Sequence, residues 1–119
     1  MPEWKNFPSN KPADTGYYIT KDFTRIPLIC FWDLEKWFCN KIECDPRQVT
    51  AYCPIPSDNW KAFPAEKPIE DRYIVIKSRL RGHTSPWVVA KYLDNKFIAD
   101  PGYVVRTGDY ISWVYVPAE

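Results

Sequence analysis

Glycine is scarce in this chain, histidine is almost missing, and neither charge sign dominates. Four glycines stand against twelve prolines, and few long stretches favour helix, so the sequence points to short strands joined by stiff connections. Sixteen basic and fifteen acidic residues leave a formal charge of +1, too little to draw the chain as a whole to nucleic acid or an anionic membrane. No apolar run approaches the length that crosses a bilayer, and the opening Met-Pro-Glu-Trp-Lys lacks the basic and apolar segments of a secretory signal. The expectation is a soluble cytoplasmic protein without membrane contact. With His83 as the lone histidine and no serine or cysteine in a recognisable motif, nothing nominates a catalytic residue.

What the chain does have is aromatic residues, 17% of its 119, enough to argue for a packed globule. It also has a repeat. "WKNFPSNKP" from Trp4 and "WKAFPAEKP" from Trp60 agree at six of nine positions. With the same offset "GYYITK" (16–21) faces "RYIVIK" (72–77). "LICFWDLEKWF" (28–38) aligns with "VVAKYLDNKFI" (88–98) after a four-residue insertion in the second copy, and "VTAYCPIP" (49–56) with "YISWVYVP" (110–117) after one more. Four blocks in one order point to internal duplication.

The second copy also decides an ambiguity in the first. "DLEKWFCNK" alone fits a short helix, but its counterpart carries Asp94-Asn95, a tight-turn signal between apolar runs, so both copies read as strand, turn, strand. The fold expected is all-β or β-dominated. Two duplicated antiparallel units, 1–59 and 60–119, are each a four-stranded meander, packed together as one pseudo-symmetric globule. Strands are expected at 16–21, 28–33, 36–39 and 49–54, then at 72–80, 87–93, 96–99 and 110–116. The proline-bearing openings should run as polyproline II or irregular extended chain, with Trp4 and Phe7 on one side, as with Trp60 and Phe63, closing each sheet.

A unit that opens with Trp and a proline pair, continues with a "YYIT" or "YIVI" strand and an aromatic hairpin, and closes in a Y/W-x-P-x-P form resembles the domain-of-unknown-function 551 family, small modules of phage and bacterial genomes. "AYCPIP" keeps Tyr52, Pro54 and Pro56 of that ending; "SWVYVP" keeps Trp113 and Pro117, with Tyr115 at the first proline. Ala51 and Ser112 stand where the family has histidine. The resemblance implies a small β-rich module of phage or mobile-element origin, with no established activity to carry across.

All four cysteines, Cys30, Cys39, Cys44 and Cys53, fall in the first unit, with no C-x-x-C pair. Three of them face Ala90, Ala99 and Val114 in the second, so they read first as small buried apolar residues; disulfides and a metal site are the alternatives. No metal or cofactor is expected. Asp33 with Glu35, and Glu70 with Asp71, read as turn carboxylates on the surface.

Where the copies differ most is "KSRLRGH", in which Lys77, Arg79 and Arg81 share one face of a strand, followed by His83. These four are the candidate binding residues, suited to phosphate or an acidic protein surface. The function expected is a non-catalytic binding protein with a protein partner. Anion or nucleic-acid binding through this hairpin is the alternative, and an enzyme is ranked below both.

Overall fold

A computed structural model describes residues 4–39, 41–77, 85–99, 103–105 and 111–118. Among them the chain is all-β, with a single 3-10 turn, Pro46–Gln48, capped by Asp45, and no helix long and apolar enough to cross a membrane. It divides into two compact units, one ending at Ile55 and joined by the extreme C-terminus, the other running from Pro56 to Val116. Each contains one six-stranded antiparallel sheet.

In the first unit the strands are β1 (Lys5–Asn6), β2 (Gly16–Lys21), β3 (Pro27–Trp32), β4 (Trp37–Cys39), β5 (Ile42–Glu43) and β6 (Ala51–Pro54). The second contains β7 (Lys61–Phe63), β8 (Tyr73–Lys77), β9 (Trp87–Leu93), β10 (Lys96–Ala99), β11 (Tyr103–Val105) and β12 (Ile111–Tyr115). The sheet orders, β1-β6-β2-β3-β4-β5 and β7-β12-β8-β9-β10-β11, are the same order used twice. Each unit has six strands where four were expected, and is not a simple meander. Four strands do follow one another as hairpins, but the last strand turns back and inserts between the first and second.

The extra strands have a local cause. Proline removes only its own N–H, so Lys5 and Asn6, upstream of Pro8, still pair with Tyr52 and Ala51. Phe7 N extends the ladder to Thr50 O at 2.9 Å, and Lys61–Phe63 pairs with β12 in the same way. The openings are therefore extended but hydrogen-bonded, not free polyproline II. Strand alternation then separates Trp4 from Phe7, which do not project together as expected. Phe7 joins the core, whereas Trp4 is half-buried, donates its indole N–H to Pro117 O at 2.8 Å and carries Lys21 Nζ 4.4 Å from its ring centre. Trp60 repeats the arrangement, with Pro56 O as acceptor at 2.9 Å and Lys77 Nζ at 4.7 Å. Both openings also share a cis peptide, at Phe7-Pro8 and Phe63-Pro64.

The tight turns follow the sequence. Asp94 and Asn95 both adopt positive φ, 49° and 61°, the geometry of a two-residue hairpin turn that these residue types tolerate. At the equivalent place Asp33 caps the turn through its carboxylate, which accepts from Glu35 N and Lys36 N at 2.8 and 2.6 Å.

Each unit packs one face of its sheet around aromatic rings. In the first, Phe7, Tyr18, Trp32, Trp37 and Tyr52 meet in edge-to-face and tilted contacts, with centroids 4.9–5.9 Å apart. In the second, Phe63, Tyr92 and Phe97 make the corresponding cluster beside Trp113. The two buried indoles of the first unit differ. Trp32 donates to Pro12 O at 3.2 Å, but Trp37 Nε1 has no hydrogen-bond partner among the described residues. Its counterpart in the second unit is Phe97, which has no N–H to satisfy.

Trp37→Phe should therefore cost little, on the order of 1 kcal/mol, because lost packing is offset by removing an unpaired donor. Trp32→Phe loses both volume and a hydrogen bond and should cost about 2–4 kcal/mol. Denaturant midpoints of the two variants give the comparison; an equal or reversed order would contradict it.

Candidate functional site

Three features of the first and second units could carry function: the hairpin singled out for its cations, the equivalent hairpin of the first unit, and the cysteines.

Of the four residues proposed for binding, Lys77 is described, whereas Arg79, Arg81 and His83 lie outside the described residues. Lys77 ends β8 with its side chain exposed and its ammonium over the Trp60 ring. Lys21 holds the same position over Trp4. A contact present in both units is a packing feature of the repeated opening, since a cation over an indole contributes about 0.5–1 kcal/mol at an exposed site. The feature peculiar to the second hairpin therefore begins beyond Lys77.

The carboxylate pairs are part of the turns. The backbone donors at Glu35 and then Lys36 hold the Asp33 carboxyl below its ordinary range. Glu70 accepts from Asp94 N at 3.2 Å, and Asp71 pairs with Lys91 Nζ at 3.2 Å. Asp33, Glu70 and Asp71 are thus engaged in local structure.

Between β2 and β3 the chain turns at 22–26 and leaves large apolar side chains in water. Phe23 is 80% exposed, Leu28 40% and Ile26 37%. The turn is braced from within. The Asp22 carboxylate accepts from Thr24 N at 2.8 Å and from the Thr24 hydroxyl, and Arg25 N donates to Asp22 O at 3.0 Å. Arg25 sits at φ 66°, a conformation that the turn imposes on a non-glycine residue. The charge pattern gives no sign of this hairpin, since "DFTRIP" carries Arg25 as its one basic residue where its longer counterpart carries several. The available signal was a phenylalanine at a turn position, with no alternating apolar pattern to bury it.

The cysteines separate into two kinds. Cys53, on β6, is fully buried on the face opposite the aromatic cluster. Cys30, Cys39 and Cys44 share the inner face, on β3, β4 and just beyond β5, and their sulfurs all lie within 4.8 Å of one another. Cys39 and Cys44 are joined by a disulfide, with Cα atoms 6.2 Å apart, and Cys30 Sγ is 2.9 Å from Cys39 Sγ. The first reading, of free thiols, holds for Cys30 and Cys53, which are buried, and is corrected for Cys39 and Cys44, which form a crosslink, the disulfide alternative. Spacing along the chain concealed this, because sheet pairing brings residues nine and five apart to neighbouring strands without a C-x-x-C knuckle. Thr20 Oγ1 lies 3.2 Å from both Cys30 Sγ and Leu28 O, and its single proton serves one of them at a time.

Burial pushes the Cys30 thiol up to about 11, with the Thr20 hydroxyl partly opposing it. It pushes Cys53 up to about 12, against a smaller downward pull from Lys21. Both are neutral thiols at physiological pH, and thiolate is the reactive form. No family model, curated protein or solved structure matches the chain.

At pH 8 the native protein should resist alkylation at Cys30 and Cys53. Denaturation without reductant should release these two thiols, and reduction should release two more. Rapid labelling of either cysteine in the native protein, followed by mass spectrometry, would contradict the burial described.

Proposed function

We propose that the chain is a non-catalytic binding module that engages a protein partner through the β2–β3 hairpin tip of its first unit. The observation behind this reading is Phe23, a large aromatic side chain left 80% exposed at the head of an internally braced turn. Burying such a side chain against a partner is worth about 1.5–3 kcal/mol, and Ile26 and Leu28 flank it with further apolar area. Because the turn is already held by Asp22, little conformational freedom remains to be lost on binding. Aromatic anchors at the centre of a small contact carry most of the affinity in protein interfaces. The near-zero net charge supports a protein partner over a nucleic acid, whose capture depends on cationic excess. The resemblance to the domain-of-unknown-function 551 family agrees with a small β module without assigned chemistry, and extends the proposal to a phage or mobile-element origin.

Phe23→Ser is the direct test. The side chain makes no core contact, so the thermal midpoint should stay within about 2 °C of the parent, since exposed substitutions typically change stability by less than ~0.5 kcal/mol. Affinity for a partner recovered on the immobilised parent protein should fall at least about tenfold. Binding that is unchanged by Phe23→Ser, or lost at moderate salt as phosphate contacts would be, overturns the assignment.

A further inference from the structure

The two sheets use the same inner-face positions, and register identifies them pair by pair. Cys30 corresponds to Ala90 and Cys39 to Ala99, each on the third and fourth strands of its unit. Cys44 N donates to Trp37 O, and Val105 pairs with Phe97, so Cys44 corresponds to Val105. Thr20 faces Tyr52 as Ile76 faces Trp113, so Thr20 corresponds to Ile76. In the second unit Ala90, Ala99, Val105 and Ile76 form a continuous apolar core. The strand order therefore does not need sulfur or hydroxyl at these places. In the first unit three sulfurs are gathered there, and Thr20, the one buried polar residue among those described, is placed beside them.

We infer that, with Cys39 and Cys44 in the dithiol form, Cys30, Cys39 and Cys44 make a three-thiolate site for a closed-shell thiophilic ion, zinc(II) or copper(I). Three observations agree. With metal–sulfur bonds near 2.3 Å, tetrahedral thiolates lie about 3.8 Å apart. The three sulfurs already lie within 4.8 Å of one another, and once the Cys39–Cys44 bond is opened the side chains must spread, Cys30 and Cys39 from 2.9 Å, by roughly 1 Å to reach that spacing. Soft thiolate donors select these ions over hard cations. Thr20 supplies an outer hydroxyl that can donate to the Cys30 sulfur, the kind of support that orients a ligand and tunes its basicity. Cys39 is half-buried, not sealed, which leaves a route of entry and room for an external fourth ligand. The balance is simple. A thiol reductant gives two electrons and two protons to the Cys39–Cys44 bond, and the ion then displaces the protons of the three thiols.

The test uses the whole chain, reduced under anaerobic conditions, with zinc(II) and copper(I) offered separately and cobalt(II) as a spectroscopic probe. One equivalent of zinc or copper should be retained through desalting, and cobalt should give sulfur-to-metal charge-transfer absorption. The ion retained distinguishes the two candidates. The variant Cys30→Ala/Cys39→Ala/Cys44→Val copies the second unit and should retain none. Cys53→Val, which copies Val114, should bind as the parent does. Should the triple variant fail to fold, Thr20→Val remains informative and should lower affinity about 10–100-fold. No retained ion in the reduced parent, or retention that ignores both the triple and the Thr20 substitutions, overturns the inference.

Discussion

The last strand of each unit settles between strands that were made first, and the rest of the unit depends on that placement. β6 pairs on one side with β1 and on the other with β2, so Tyr52 faces Lys5 and Thr20 at once. Until the chain has run through the whole unit, the opening Trp-x-x-Phe-Pro segment has no partner for its backbone and Phe7 has no cluster to enter. The ladder satisfies those main-chain groups of the opening that face β6. It also fixes the register that turns Tyr52 inward, against Tyr18 and Trp37. β12 does the same between β7 and β8, bringing Trp113 to the inner face beside Phe63 and Tyr92.

The parts that were legible in the sequence are those whose signals are local. The aligned repeat blocks located β2, β3, β9, β10 and β12 to within a residue or so; the strand expected at 72–80 coincides with β8 over Tyr73–Lys77, its remainder lying outside the described residues. Asp94-Asn95 identified its hairpin because two residues that tolerate positive φ stand between apolar runs. β1 and β5 were missed because two-residue strands have no period to read, and they exist only through their neighbours. The insertion of β6 was missed for a related reason, since pairing across 30 residues or more, as between Lys21 and Ala51, leaves no mark in either segment alone. At the site, the repeat correctly marked Cys30, Cys39 and Cys53 as inner or buried positions. It could not say that three sulfurs converge, because their separation across strands depends on register.

Comparison of the two units separates scaffold from specialisation. The lysine over the opening tryptophan and the aromatic cluster occur in both, so each belongs to the architecture. The sulfur cluster with Thr20 and the exposed Phe23 tip are described only in the first unit. They lie on different parts of one sheet, the former on the inner face and the latter at the end of a hairpin. Side chains at the cluster and at the tip can therefore vary independently of the aromatic packing that supports both.

Residue-resolved hydrogen exchange of the native protein tests the inserted-strand arrangement most directly. The account predicts that the amides of Tyr52 and Cys53 in β6, and of Trp113 and Val114 in β12, exchange among the slowest, with those of Ile42 and Glu43 in the edge strand β5 much faster. Exchange of the β6 and β12 amides at the rate of β5 would contradict it, because strands hydrogen-bonded on both sides cannot open as readily as an edge.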